Sequence, residues 1–454
     1  MPSGKRRIAV IGSGIAGLTA AYILAKEHDV TLYEADGRLG GHAHTHELTS
    51  SDGGVHLVDS GFIVHNRRTY PNLLRLFAEL DVDTQPSEMS MSVSCEGCGL
   101  QYAGALGLPG VFAQPANLGN PRFLRMLAEV PRFHRAARRL LGAAPAAGEI
   151  PAAGGRSRER PPASADTHAA ASGSAPEGGD RTLSEFLTEH RFSPYFVSHF
   201  ATPLVSCVWS CDTATARRYP ARYLFAFLEH HGMLSVSGSP QWRTVTGGSR
   251  TYVERIAKEV DAVRPASPVR AVVRHWDGVE VVTGDGAREQ YDSVVLATHP
   301  RQALRMLARP TAREWRVLGT LEYAPNTAVL HTDTELLPGA VRARASWNYL
   351  LPSCEAGRDR VRVSYDMNRL QRLDSPETFV VTLGGEQRVR PEQVLARMHY
   401  EHPIYTPESV AAQRELPSLG DARLVFAGAY HGWGFHEDGC RSGAEAARRL
   451  GVPW

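Results

Sequence analysis

Gly12-Ser13-Gly14-Ile15-Ala16-Gly17 has the GxGxxG spacing that brings backbone against a pyrophosphate, and Glu34 follows 20 residues after Gly14. The chemistry is recognition of a dinucleotide. Gly12 permits a tight turn, Gly14 lets backbone approach the phosphates, and Gly17 lets a helix pack close to a strand. Glu34 accepts hydrogen bonds from the adenosine ribose and disfavours a 2′-phosphate there. The positioning elements follow in order. Arg7 to Ile11 reads as a buried strand, Leu18 to Lys26 as a helix and Val30 to Tyr33 as a second strand. The helix N-terminus offers free N–H groups and positive potential to the phosphates.

Arg38-Leu39-Gly40-Gly41-His42 separates a flavin dinucleotide from a nicotinamide one. This second glycine pair, just after Ala35, brings more backbone to the pyrophosphate and ribityl chain, and Arg38 can pair with phosphate. An NAD enzyme has no need of that second contact. The chain closes on a matching device. Leu424 to Phe426 reads as a strand, Gly428 and the loop at Gly434 let backbone pass a ligand, and a last helix runs from Gly439 to Arg449. Its N-terminus would face the N1–C2=O edge of a flavin. Glu437 or Asp438 would then reach the ribityl hydroxyls.

These stretches resemble the flavin-containing amine oxidase superfamily, which includes protoporphyrinogen oxidase and phytoene desaturase. The resemblance rests on Ile8 to Thr45, Val58-Asp59-Ser60-Gly61-Phe62, Gly247-Gly248-Ser249 with Pro268-Val269, and Leu424 through the helix from Cys440. It implies backbone at Gly61, Phe62 and Ile63 beside the isoalloxazine, and Val269 against adenine. It also implies Gly428, Gly434, Phe435 and His436 at the flavin. The fold implied is α/β: a Rossmann-like FAD-binding domain of the glutathione-reductase-like variant, interleaved with an α+β substrate domain. The FAD domain is expected at 1–70, 240–300 and 415–454, and the substrate domain at 71–239 and 301–414. A narrower likeness, to bacterial FAD-dependent oxidoreductases similar to the N-terminal region of plant cyclopropane-fatty-acid synthases, is carried by four stretches. They are Ser346 to Tyr349, Tyr365 to Asn368, His402-Pro403 and Gly434 to Gly439. It implies a lipid substrate and a methyltransferase as partner. Amine oxidases of the superfamily commonly hold a water at flavin N5 with a lysine, and no lysine follows Lys258. No cysteine stands where covalent members attach the flavin, so the FAD is expected to be noncovalent.

His65, Tyr430 and His436 sit in or beside the flavin-facing motifs and are candidate catalytic residues; His431 is a further hydrogen-bonding imidazole. Trp347, Tyr349, Tyr365 and Asn368, in alternating segments, are candidates for the pocket floor, and Trp209 for a helical cap over it; plain core packing is the other reading of all five. The reaction expected is hydride removal from a C–H bond of an apolar, fatty-acyl substrate. Double-bond isomerisation, amine oxidation, and a noncatalytic FAD-bound partner role are the alternatives.

His42, His44 and His46 alternate on one strand face, either as metal ligands or as a wall near the flavin; the wall is preferred. Cys95 and Cys98 form the one CxxC, and with no second CxxC they read as a turn rather than a metal site; no metal is expected. Cys207 and Cys211 read as buried thiols. Arg122 to Leu141 interleaves six arginines with Phe123, Leu127, Val130, Phe133 and Leu140, with Pro131 as a kink or break. It suits a solvated face over a packed one, or a helix at a membrane surface. Residues 142–180 are of low complexity and read as an insertion.

With 454 residues, 43% hydrophobic and 22% charged, the chain is neither a fibre nor a wholly disordered one. Lys+Arg 50 against Asp+Glu 48 leaves no global attraction to nucleic acid. The glycines break the apolar run from Ile8 to Ala25, which therefore reads as neither a signal peptide nor a span. A cytoplasmic protein, peripheral to the membrane at most, is the expectation.

Overall fold

The computed structural model describes residues 4–142, 181–235, 238–355 and 362–454; the expected insertion at 142–180 lies outside them beyond Gly142. A five-stranded parallel sheet positions the dinucleotide motif. Its order is Ala262–Arg264, Asp29–Tyr33, Arg7–Ile11, Ser293–Leu296 and Leu424–Phe426. Parallel strands must be covered on both faces, which the run Ile8-Ala9-Val10-Ile11 satisfies. Ile8 and Val10 pack with the helices Ile15–Ala25, Arg250–Lys258 and His436–Arg449. Ala9 and Ile11 pack on the other side, with the antiparallel meander Val269–Arg274, Val279–Thr283, Arg288–Tyr291 and the helices Pro300–Met306 and Ala312–Thr320.

The first and last helices touch at backbone distance. A Cβ built on Gly443 would lie 2.3 Å from the Ala16 carbonyl oxygen, and one on Gly439 2.5 Å from Ile15 Cγ2. At the turn itself, a Cβ on Gly17 would meet the Gly12 carbonyl oxygen at 1.9 Å. Gly12 has φ +101°, and its N–H donates to the Tyr33 carbonyl across the strands at 2.8 Å.

The second unit is built on a seven-stranded sheet. Its order is Val394–Ile404, Glu322–His331, Val380–Leu383, Val363–Asp366, Trp347–Leu351, Met91–Cys95 and Gln101–Ala103. All neighbours are antiparallel except Trp347–Leu351 with Met91–Cys95. The helices Thr202–Trp209 and Ala221–His230 pack with it in one core. Pro121–Leu141 is one helix with Pro131 inside it, so Pro131 does not break it. Its apolar residues Phe123, Met126, Phe133 and Ala137 are buried, and Phe133 meets the rings of Phe186, Phe192, Phe196 and Phe225.

Replacing Gly443 by Val forces a branched side chain into the Ala16 carbonyl. The variant is expected to lose about 2–3 kcal/mol of stability, as overpacked cores do, read as a lower urea midpoint at unchanged slope.

Candidate functional site

A cavity of about 850 Å³ runs along the C-terminal ends of the parallel strands and into the second unit, the place where open α/β sheets take their ligands. One end is walled by Glu34, Ala35, Asp36 and Ser267 to Arg270, so Val269 stands there as expected. The middle is backbone-rich: Gly12 to Ala16, Gly41, His42, Ala297, Thr298 and Gly428. The other end holds Gly61, Phe62, Ile63, Gly434, Phe435 and His436, then the aromatic wall of the second unit.

Ser13 joins three motifs. Its N–H and hydroxyl donate to one Glu34 carboxylate oxygen at 2.9 and 2.5 Å, and Gly40 N–H donates to its carbonyl and hydroxyl oxygens, both at 3.1 Å. Asp59 joins two more. Its buried carboxylate accepts from Thr45 Oγ1 at 2.6 Å, from the Ser249 N–H and hydroxyl, and from Gln371 Nε2 at 3.1 Å. Burial pushes its pKa up to about 6 against these donors. The Gly247-Gly248-Ser249 turn is thereby fastened to the strand leading into Gly61 and Phe62.

An FAD fits these residues. The helix Ile15–Ala25 starts without a side-chain cap or an acid in its first turn, so its free N–H groups are open to the cavity. A Cβ on Gly14 would meet nothing within 4 Å, leaving room for a pyrophosphate at that turn. The phenol of Tyr430 lines the cavity, and its oxygen is buried with no partner among the described residues. Bound there, FAD supplies the hydride-accepting chemistry; the protein supplies grip, orientation and exclusion of water.

Several expected contacts are corrected. Glu437 accepts from Asn72 N–H, Asn72 Nδ2 and Leu73 N–H at 2.5–3.1 Å, so it caps the helix Pro71–Glu79 instead of reaching the cavity. Asp438 accepts from Phe435 N–H and from Arg441, capping its own helix. Gly17 and Gly40 support the loops from behind, and Arg38 lies beside the Leu39 and Ala43 carbonyls outside the cavity wall. His65 is buried outside the cavity wall among Phe62, Tyr70 and Phe77, with both ring nitrogens unpartnered. Tyr349 lies under the helix Thr202–Trp209 and lines a separate cavity of about 230 Å³. Asn368 bridges the Glu377 carbonyl and Phe379 N–H, a turn-holding role. Trp209, Trp347 and Tyr365 do line the main cavity.

The three alternating histidines form a wall with Tyr400 and Ser60. His42 stacks on Tyr400 at 4.9 Å, His44 bonds the Tyr400 hydroxyl, and His46 bonds Ser60. His42 alone reaches the cavity. Two lining histidines were not singled out from the sequence as site residues. Asn326 Nδ2 donates to His402 Nδ1 at 2.8 Å, which leaves the proton on Nε2, and His299 pairs with Glu401 at 2.7 Å. His402 had a signal only in the His402-Pro403 likeness, whereas His299 had none.

Burial keeps four imidazoles in and beside the cavity neutral. His42 is held well below its usual value, His65 and His402 are pushed down to about 4, and His436, stacked on Phe62 at 3.6 Å, to about 3. The unfolded value is 6.5, so between that and about 4 the unfolded chain binds more protons and stability falls as pH is lowered. Burial raises Asp59, Asp366, Glu437 and Asp438, which tilt the other way, but among the described residues eleven histidines are held down against these four carboxyls. The urea midpoint should therefore hold near pH 7 and drop through about pH 6.5 to 4.5; a flat or rising midpoint would contradict neutral burial. In a second measurement, Glu34→Ala should weaken FAD binding about 10–100-fold by fluorescence titration, the worth of one or two bonds to a charged acceptor.

The model of the flavin containing amine oxidoreductase family matches residues 15–338, well over half of the chain. An L-amino-acid oxidase of Pseudechis australis is 51% identical over 45 residues, 10% of this chain and 9% of that protein. A flavin-dependent L-tryptophan oxidase of Lentzea aerocolonigenes is 42% identical over 62 residues, 13% of each. This chain therefore spans only about a tenth of the length of those curated relatives. Among solved structures, the CLA-producing fatty acid isomerase of P. acnes matches over 100% of both chains, with a TM-score of 0.66 and 15% identity. Putrescine oxidase with bound putrescine matches over 99% of both (0.64, 16%), and the cyclohexylamine oxidase of Brevibacterium oxydans over 98% (0.64, 15%). At these identities the likeness is one of fold. The family match, with a cavity whose glycine turns and open helix N-terminus suit a flavin dinucleotide, makes this chain a member of the flavin containing amine oxidoreductase family and an FAD-dependent oxidoreductase.

Proposed function

We propose that this enzyme removes a hydride from a C–H bond of an apolar substrate, and that the substrate is a fatty-acyl chain. The observation that carries the reading is the wall of the cavity beyond the flavin end. Trp209, Phe227, Met233, Trp347, Tyr365 and Phe435 form it, while the charged residues lining the cavity as a whole are Glu34, Asp36, Arg270, Arg305 and Glu401. Trp347 and Tyr365 are cross-strand partners with rings 5.5 Å apart, and Phe435 stacks on Phe227 at 4.6 Å. The Trp209 indole N–H is taken by the Trp433 carbonyl at 3.1 Å, so its ring offers the cavity only apolar surface. An ammonium group would find no carboxylate among these six residues. An acyl chain would gain about 0.8 kcal/mol for each methylene buried there.

Isomerisation of an unsaturated acyl chain uses the same cavity, and the fold shared with a fatty acid isomerase favours keeping it as the second reading. The two differ in product: oxidation removes two hydrogens from the substrate, and isomerisation leaves its mass unchanged.

Under anaerobic conditions, unsaturated fatty acids or phospholipids should bleach the bound flavin in the oxidative reading, with a product two mass units lighter. A product of unchanged mass with a moved double bond supports the second reading. Rapid bleaching by primary amines with none by any lipid would overturn both. Trp347→Glu should lower kcat/KM for the acyl substrate about 10–100-fold while the flavin spectrum is retained, since it sets an unpaired charge against the chain.

A further inference from the structure

Far from the dinucleotide motif, three thiols and an imidazole meet. Cys95 and Cys98 stand at the turn between the strands Met91–Cys95 and Gln101–Ala103. Cys354 follows the strand Trp347–Leu351, whose last residue pairs in parallel with Cys95. His199 comes from the π-helical turn Val197–Ala201. Cys95 Sγ lies 3.8 Å from Cys354 Sγ, Cys98 Sγ lies 3.6 Å from His199 Nε2, and all four atoms fall within 4.8 Å of one another. A tetrahedron with Zn–S of about 2.3 Å and Zn–N of about 2.0 Å has S···S edges of about 3.8 Å and S···N edges of about 3.5 Å. Two edges are already at that length, and the widest needs to close by about 1 Å.

The surroundings are those of a ligand set. Cys98 N–H donates to the Cys95 sulfur and Leu100 N–H to the Cys98 sulfur, which fixes both sulfurs in the turn. Gly99 N–H closes the turn onto the Cys95 carbonyl at 2.9 Å. At Gly97 an added Cβ would stand 3.0 Å from the Cys354 nitrogen, so glycine is what lets the Cys354 segment lie over the turn. On His199 the inner nitrogen Nδ1 faces the Tyr195 carbonyl at 3.1 Å and the Ser198 hydroxyl at 2.8 Å. The carbonyl can only accept, which places the proton on Nδ1 and leaves the Nε2 lone pair toward Cys98. Outer-sphere carbonyls orient zinc-binding histidines in this way. The Tyr195 ring, stacked on the imidazole at 3.9 Å, fixes its plane.

We propose that Cys95, Cys98, Cys354 and His199 form a closed, tetrahedral zinc site with a structural role. Binding releases three thiol protons and leaves Zn²⁺ with three thiolates and a neutral imidazole, a net charge of −1. Four protein ligands leave no open position, so the ion does no chemistry on substrate. It ties a hairpin, a π turn and the end of the Trp347 strand, three segments with no other covalent connection nearby. It thereby steadies the sheet whose far end presents Trp347 to the substrate cavity.

The test is made on the full-length holoenzyme. Elemental analysis should give one zinc per chain. After chelation, cobalt(II) should restore the metal content and add thiolate–cobalt bands to the red of the flavin absorption. Cys98→Ser and His199→Ala should each lose at least tenfold in zinc content and at least about 5 °C in unfolding midpoint, with flavin still bound. If those variants do not fold, the cobalt spectrum of the wild-type chain decides. Protein produced with zinc in excess that carries none and also fails to take up cobalt overturns the proposal. A Cys95–Cys354 disulfide in the intact protein, or thiol-reagent rates at Cys98 that zinc leaves unchanged, would do so as well.

Discussion

The site depends on how closely the first and last helices approach. Gly439 and Gly443 lie against Ile15, Ala16 and Thr19 at distances that admit no side chain. Only at that separation do the starts of both helices reach one cavity. The first start turns free N–H groups and the positive end of a helix dipole toward the cavity, while the second, with Glu437 and Asp438 in its first turn, brings the backbone of Gly434 to His436 to the same space. Apolar packing between larger residues would hold the helices just as firmly, but at 8–10 Å between axes the cavity would splay. The grip on the dinucleotide is thus a consequence of missing side chains as much as of those present.

Polar groups then fix the loops to this frame. Ser13 unites the first glycine turn, the ribose acid and the second glycine pair through four hydrogen bonds. Asp59 does the same for the hairpin entering Gly61 and the turn before Arg250. Such buried networks cost desolvation, and the raised pKa of Asp59 records that cost. What they provide is register: a one-residue slip in the strand Val55–Asp59 would leave a buried carboxyl facing no donor.

The parts of this arrangement that were legible in the sequence are those where backbone geometry dictates residue type. Gly12 at φ +101° is such a position, and close approach does the same for Gly17 against the Gly12 carbonyl and Gly428 against the Tyr430 ring. Side chains that choose among several tertiary partners were not legible. Glu437 and Asp438 precede the helix start expected at Gly439 but lie in its first turn, where the arriving helix Pro71–Glu79 claims one and the helix's own start claims the other. Trp347 and Tyr349 share a strand face by parity, but the cavity ends between them, where Ser206 and Cys207 cover the second ring. The cysteine turn looked isolated because His199 and Cys354 stand more than 100 and more than 250 residues beyond Cys98 and Cys95. No local spacing encodes ligands that parallel strand pairing and a π turn bring together.

The same distinction explains why the cofactor is easier to read than the substrate. A dinucleotide is held by directional groups, and each directional group constrains a residue type at a definite offset. An apolar chain is held by area, which many combinations of aromatic and aliphatic side chains supply equally. The Trp209 N–H is satisfied on the Trp433 carbonyl, so that ring presents no polar motif to a ligand. A fold whose relatives include oxidases of small amines and an isomerase of fatty acids can therefore keep its cofactor frame while changing what it oxidises. In this chain Trp209, Phe227, Met233, Trp347, Tyr365 and Phe435 line the cavity, surface that packing supplies and no local spacing encodes.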